Sequence, residues 1–324
     1  MVVSDLPPEF ALIGRHFRPL AGEGALDLTD DAAVLAPPAG RELVIAADAM
    51  VAGVHFLADD PPETIGRKLL RVNLSDLAAM GAVPLGYLMT TAFPKDIEDG
   101  WIARFAAGLA ADQREFGLSV LGGDTVGTPG PMTLSLTILG HVAPGAALRR
   151  AGARPGDDLW VSGSIGDGAL GLRAARGQLP DTDGFLAGRY RVPQPRVALG
   201  LALVGLATAA MDVSDGLMQD LGHLCRASGC GAEVLADAVP LSDAARAAIA
   251  VDPGLGPLPF GGGDDYELLF AAPPAKAQEI KAAAAAVGIA ATRIGRFVAG
   301  HPAARLLDAK GAEVALPRGG WSHF

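Results

Sequence analysis

Cysteine is almost missing: Cys225 and Cys230 are the only two in 324 residues. Two thiols cannot build a disulfide framework or a four-ligand zinc site, so they read as reduced core thiols. Basic charge is scarce as well. Lys and Arg number 26 against 36 Asp and Glu, a formal charge of −10, and the basic residues form few clusters. Such a chain is a poor candidate for binding nucleic acid or an anionic membrane. It can still bind phosphorylated ligands where divalent cations stand between the two sets of negative charge. Long apolar runs are lacking too. The longest, Val197 to Met211, has 15 residues, many of them Ala and Gly, and suits a buried helix better than a bilayer span. The N-terminal Met-Val-Val-Ser-Asp lacks the basic start and apolar core of a signal peptide, so the cytoplasm is the expected compartment. Several chemical signatures are absent. No Gly-Lys dipeptide occurs, which excludes a P-loop. There is no protein-kinase catalytic loop and no G-x-S-x-G elbow, and the six His show no pair spaced for zinc. A nucleotide site in this chain must be built from carboxylates, metal and glycine backbone.

What the chain does have is Asp: 26, against 10 Glu. Surplus acid on helices would favour Glu, the better helix former, whereas Asp prefers caps, turns and metal-binding loops. With 43 Gly and 24 Pro the chain is turn-rich but below the composition of disorder. Its length suits two domains of ordinary size. Apolar periodicity predicts a strand at 42–48, then a helix at 61–80 opened by Pro61-Pro62 and closed by Gly81. A strand at 85–92, a helix at 96–116, a strand at 118–121 and an alternating strand at 132–142 follow. The Pro, Gly, Arg and Asp of 144–158 mark a boundary near 148, giving units 1–148 and 149–324. In the second half the pattern predicts a strand at 159–162, helices at 167–176, 195–209 and 216–228, and strands at 232–236 and 266–271. An Ala-rich helix at 274–287 and a hairpin around Lys310-Gly311 close the chain. The fold class is mixed α/β.

Three apolar stretches run into an acid: Asp48, Asp124 and, after the Ala-rich run ending in Met211, Asp212. Strand ends are where α/β folds bind ligands, and carboxylates converging there repel one another unless cations bind them. Asp30-Asp31 adds to the set, and Asn73 and Asp76 share a helix face. In Asp212-Val-Ser-Asp-Gly216, Ser214 and Asp215 can cap the next helix, hold a ligand, or do both. Gly166-Asp-Gly-Ala-Leu-Gly171 matches the dinucleotide pattern but lacks a clear βαβ setting, and no nicotinamide or flavin site is expected there. Gly261-Gly-Gly-Asp-Asp-Tyr-Glu-Leu268 is either a tight turn into a strand or a loop that lets backbone and acids approach a ligand.

Taken in order, Asp30-Asp31-Ala-Ala-Val, Asp48-x5-Gly-Val-His55-Phe, Asn73-Leu-Ser-Asp76-Leu-Ala-Ala-Met-Gly81, Gly122-Gly-Asp124-Thr, Asp212-x-Ser-Asp-Gly216 and Gly262-Gly-Asp-Asp-Tyr-Glu267 carry a resemblance. The chain resembles the thiamine-monophosphate kinases, of the ATP-binding superfamily of aminoimidazole-ribonucleotide synthetase and selenophosphate synthetase. The likeness runs from about Phe10 to Trp321-Ser-His-Phe324. It implies a two-domain α/β (α+β) fold, with an N-terminal sheet that pairs across a homodimer and a C-terminal α+β domain. It implies transfer of the ATP γ-phosphoryl group to thiamine monophosphate, with several Mg²⁺ ions and no covalent catalytic residue. By the same resemblance, Asp31, Asp48, Asp76, Asp124, Asp212 and Asp215 match metal ligands. Gly123, Asp124, Arg150 and Ser214 match ATP contacts, and His55, Asp264 and Trp321 match substrate contacts.

The chain departs from the family pattern at Thr29, where Gly is usual, at Ala46-Ala47, where a hydroxyl often precedes the acid, and at Asp264, where Glu is common. A selenophosphate synthetase-like enzyme should carry a reactive Cys near its N-terminus, and a hydrogenase-maturation dehydratase a C-terminal one. Neither is present. A non-catalytic divalent-ion-binding protein should gather its acids in local loops, whereas these are scattered along the chain.

Overall fold

The computed structural model describes residues 8–317 and 320. These residues divide into two compact units, one within 1–77 and 83–145 and one within 78–82 and 146–324. In chain order the elements are α1 (Pro8–Leu12), β1 (Glu42–Val51), α2 (Pro62–Ala79), β2 (Val83–Pro94), α3 (Asp99–Phe116), β3 (Val120–Thr128), β4 (Thr133–Val142) and β5 (Asp158–Ser162). There follow α4 (Asp167–Ala175), α5 (Phe185–Arg191), α6 (Val197–Leu203), β6 (Ala209–Asp212), α7 (Leu217–Ser228), β7 (Gly231–Leu235), α8 (Asp243–Val251) and α9 (Leu258–Gly261). The last are β8 (Leu268–Ala272), α10 (Ala277–Ala286), β9 (Ala291–Val298) and β10 (Ala304–Leu307).

The first unit holds a four-stranded sheet in the order β1-β4-β2-β3. Strand β4 shows why one face is covered: Leu134, Leu136 and Ile138 are fully buried while Ser135, Thr137 and Leu139 between them are not, the alternation of a half-buried strand. Helices α2 and α3 cover the buried face. Phe93 packs edge-on against Trp101 and Phe105, and Gln113 donates to the Tyr87 hydroxyl at 3.1 Å. The two helices cross closely because Gly66 and Gly108 stand at the contact. A Cβ at Gly108 would lie 2.1 Å from the Glu63 carbonyl oxygen. Asp112, fully buried, accepts from Arg67 at 2.9 Å and from Arg71 at 2.7 Å and ties the pair together.

The second unit has a six-stranded mixed sheet in the order β10-β7-β9-β5-β8-β6. β5 and β8 lie inside it and are buried at every position, so β8 reads as an unbroken apolar run and β5 as an apolar centre between Asp158 and Ser162. Its core gathers Leu159, Val161, Met211, Val213, Leu221, Leu224, Leu269 and Phe297.

Several expectations need correction. Asp48 and Asp124 do not end their strands: Asp48 pairs with Leu136 and Asp124 with Thr90, well inside the ladders. The run Val197 to Met211 is not one helix but α6 and β6 in sequence. Gly205, at φ +79°, breaks it, and pairing with β8 draws the second part into the sheet. Helices α5 and α8 and strand β9 went unread, and the closing hairpin is a single Leu307–Glu313 bridge.

Candidate functional site

In the first unit, the uncovered sheet face forms the floor of a cavity of about 710 Å³. Asp30, Asp31 and Asp124 line it together with the hydroxyls of Thr90, Ser135 and Thr137, and Phe10, Ile13 and Phe17 wall it. Asp30 and Asp31 follow a strained stretch, with Leu26, Asp27 and Leu28 at φ of 50°, 58° and 54°. Such left-handed residues cluster at functional sites. Gly123 supplies the reason for a Gly-Gly pair before Asp124. Its φ is +155°, and a Cβ there would lie 1.7 Å from the Met89 carbonyl oxygen, so only glycine lets β3 run this close to β2.

Asp48 belongs to the other side of the sheet. It alternates with exposed Ala47 and Ala49 and shares its register with buried Leu136, which turns its side chain to the helix-covered face. Its backbone N–H donates to Asn73 Oδ1 at 3.1 Å, while Asn73 donates back along its own helix to Leu69 O at 2.9 Å. Asp76, half-buried, lies one helical turn beyond Asn73 on α2. His55 is fixed by the turn after β1. Its Nδ1 accepts from the Val51 N–H at 3.0 Å, which leaves the ring proton on Nε2. Lys68 donates to the His55 carbonyl at 2.9 Å.

In the second unit, Asp212 closes β6 and is buried. Ser214 and Asp215 form the turn before α7. Neither caps that helix with its side chain. The turn is instead folded around one oxygen: Asp220 Oδ2 accepts the N–H of Ser214, Asp215 and Gly216 at 3.0, 3.0 and 3.1 Å. Burial, reinforced by the charge of Asp212, pushes the Asp220 carboxyl up to about 7. The glycine-rich loop packs on this turn. Asp264 N–H donates to Ser214 O at 2.9 Å, and a Cβ at Gly263 would lie 2.3 Å from that same oxygen. Arg150 is exposed, and its carbonyl accepts from Ser228 Oγ at 3.1 Å. Trp321 lies outside the described residues.

The structure therefore brings Asp31, Gly123 and Asp124 together around one cavity, and Ser214, Asp215 and Asp264 together around one turn. Among the described residues, no group of three or more His, Cys, Asp or Glu is arranged to hold a metal ion. Sequence reasoning missed Asp220 and Lys68, whose only local sign is an acid in the first turn of α7 and a cation on the apolar face of α2. The G-x-G-x-x-G string is also explained. Its Gly166 and Gly168 amides are taken up by the side chain of Asp265, so a protein carboxylate sits where that motif would hold a phosphate. Both cysteines are buried and free, and burial pushes the Cys225 thiol up to about 12.

Residues 29–142 match the family described as AIR synthase related protein, N-terminal domain, and residues 154–306 match its C-terminal domain. The chain is 48% identical over 322 residues to thiamine-monophosphate kinase of Caulobacter vibrioides, covering 98% of this chain and 91% of that protein. It is similar to the crystal structure of thiamine-monophosphate kinase from Stenotrophomonas maltophilia K279a, with a TM-score of 0.81 and 40% identity over 88% of this chain and 90% of that one. It is also similar to AaThiL complexed with AMPPCP and TMP, with a TM-score of 0.78 and 30% identity over 98% of this chain and 97% of that one. The cavity acids, the Gly-Gly-Asp strand and the loop packed on the Ser214 turn thus sit in a chain that, by both matched halves and by identity along nearly its whole length, belongs to the thiamine-monophosphate kinase family of AIR synthase-related proteins.

Proposed function

We propose that this chain transfers the γ-phosphoryl group of ATP to thiamine monophosphate, giving thiamine diphosphate and ADP. The observation that carries the reading is the donor set: the carboxylates of Glu9, Asp30, Asp31 and Asp124 and the hydroxyls of Thr90, Thr125, Ser135 and Thr137 line the first unit's cavity, with no thiol and no imidazole among them. Hard oxygen donors suit Mg²⁺, which keeps several waters and completes its shell with substrate phosphates rather than an all-protein cage. Asp31 and Asp124 would hold such ions from the cavity, Asp48 and Asp76 from the α2 side of the sheet, and Asp212 and Asp215 from the second unit. When bound, the metal neutralises and orients the anionic phosphates.

The remaining work falls to the chain itself. Phosphoryl transfer needs positioning and charge stabilisation more than covalent help. The attacking oxygen belongs to a phosphate that is mostly ionised at neutral pH, so no side chain has to act as a strong base. Gly123 brings backbone close to the nucleotide, and Ser214 and Arg150 offer a hydroxyl and a positive charge to it. His55, with its proton on Nε2, donates toward the substrate, and Asp264 pairs with its cationic rings, joined by Trp321. Residues 1–148 supply the Mg²⁺ and ATP side, and residues 149–324 complete the nucleotide and substrate sites. We place the enzyme in the cytoplasm as a homodimer that binds neither membrane nor nucleic acid. No helix among the described residues is long and apolar enough to cross a membrane.

The test is direct: incubate the pure protein with Mg²⁺, ATP and thiamine monophosphate and separate the products by chromatography. Thiamine diphosphate should form, and its absence overturns the assignment. Asp124→Asn should abolish turnover with a melting temperature within about 2 °C of wild type, since the side chain is exposed and away from the core. Retained turnover would remove Asp124 from the metal set.

A further inference from the structure

Three acids crowd the loop that leads into β8, and they do not face the same way. Asp265 and Glu267 are fully buried, and Asp264 alone is half-exposed. The backbone that sorts them is strained. Asp264 sits at φ +71° and Tyr266 at φ +52°, left-handed positions that a side chain adopts only when the surroundings enforce it.

What enforces it is visible on both sides. On one side, Asp264 N–H donates to Ser214 O at 2.9 Å and Tyr266 N–H to Val213 O at 2.8 Å. On the other, the two oxygens of Asp265 accept the N–H groups of Gly166 at 2.8 Å and Gly168 at 2.9 Å. Gly166 is the N-cap of α4 and Gly168 lies in its first turn, where a carboxylate satisfies otherwise unpaired amides and meets the positive end of the helix. Arg189 then spans the loop. It donates to the Asp265 carbonyl at 3.2 Å and to Glu267 Oε1 at 2.9 Å. Arg196 donates to Glu267 Oε2 at 2.7 Å, and Ser162 Oγ donates to the same carboxylate.

The geometry points to Asp265, braced by Arg189 and Glu267, as a positioning residue that turns Asp264 outward to meet the substrate. It rests on the reading of Asp264 as a substrate contact. A flip of the loop by one residue would bury Asp264 and expose Asp265, and the α4 amides oppose that flip by binding the second acid and not the first. Gly168 sets the depth of the loop. A Cβ there would lie 2.3 Å from the Asp264 carbonyl oxygen and 2.4 Å from its carbonyl carbon, so even a methyl group displaces Asp264 directly.

The experiment compares steady-state constants of three variants with wild type. Asp264→Ala tests the underlying contact and should raise KM for thiamine monophosphate about tenfold or more. Asp265→Asn places an amide donor against one of the α4 N–H groups, so the loop should relax. Its KM for thiamine monophosphate should rise about tenfold while kcat and KM for ATP stay within about threefold. If Asp265→Asn does not fold, Gly168→Ala decides the matter. Alanine favours the helix it sits in, yet it pushes on Asp264, and the same split between the two KM values is expected. An unchanged KM for thiamine monophosphate in the Asp265 or Gly168 variant, beside a raised one in Asp264→Ala, overturns the positioning role. So does an equal rise in both KM values, which marks a merely structural residue. An unchanged KM in Asp264→Ala overturns the substrate contact itself, and the proposal with it.

Discussion

Cys225 shows at the scale of one residue how tertiary burial sets chemistry that composition only hints at. The thiol is fully buried on α7, and desolvation pushes it up to about 12, with the neighbouring Cys230 adding to the rise. A thiolate is the reactive form, so neither Cys225 nor Cys230 should react with iodoacetamide in the native protein at pH 8.5. Both should be alkylated once urea unfolds the chain, as mass spectrometry will show. Rapid native labelling would contradict the burial. The sign for stability follows. The folded state holds the Cys225 proton more tightly than the unfolded one, so this contribution is complete below about pH 9 and is lost as the pH climbs toward 12. Asp264 makes the complementary point. Its motif was legible as a string of residues, but which of Asp264, Asp265 and Glu267 faces outward depends on α4 amides about a hundred positions earlier in the chain. No local pattern records that.

Helices α2 and α3 carry the argument at the scale of elements. Pro62 at the start and Gly117 at φ +70° after Phe116 are ordinary start and stop signals, and both helices were readable within a few residues. Their mutual lock was not. Asp112 joins Arg67 and Arg71 from 41 and more positions away, and Arg71 is itself buried. Removing Asp112 takes two bonds from buried Arg71, which keeps Glu115 at 2.6 Å. Asp112→Ala should therefore cost about 2–3 kcal/mol, read as a lower urea midpoint. A loss below about 1 kcal/mol would show that the arginines find other partners. Since α2 also carries Asn73 and Asp76, activity should fall with it. The misread run from Val197 to Met211 belongs here as well. A buried helix and a buried strand look alike over a short apolar stretch, and only the pairing of β6 with β8 separates them.

At the scale of the whole molecule, the uncovered face of the first unit's sheet is the open feature. Beyond the cavity lining, Leu43, Ile45 and Val126 stand on it with 45%, 61% and 46% of their surfaces exposed. The registers Leu43–His141, Ile45–Leu139 and Ala92–Val126 put them on one side. Grouped apolar residues on a sheet face are a surface for association, which supports the homodimer proposed above. Ile45→Lys should shift the protein to monomer in sedimentation velocity, with far-ultraviolet circular dichroism unchanged. A dimer of wild-type stability would place the contact elsewhere.

The sequence by itself determined the class of the fold, the order of most strands and helices, and the family. Those follow from periodicity, from glycine and proline signals, and from short strings whose residue types are chemically constrained. Tertiary structure alone decided that Asp48 and Asp124 lie within strands and face opposite sides of one sheet. It also decided that Asp220 gathers three amides, and that Asp265 occupies a glycine loop that otherwise reads as a nucleotide motif. The physical reason is common to all three. A side chain's direction is set by strand register and by hydrogen-bond partners far along the chain, and a linear pattern encodes neither.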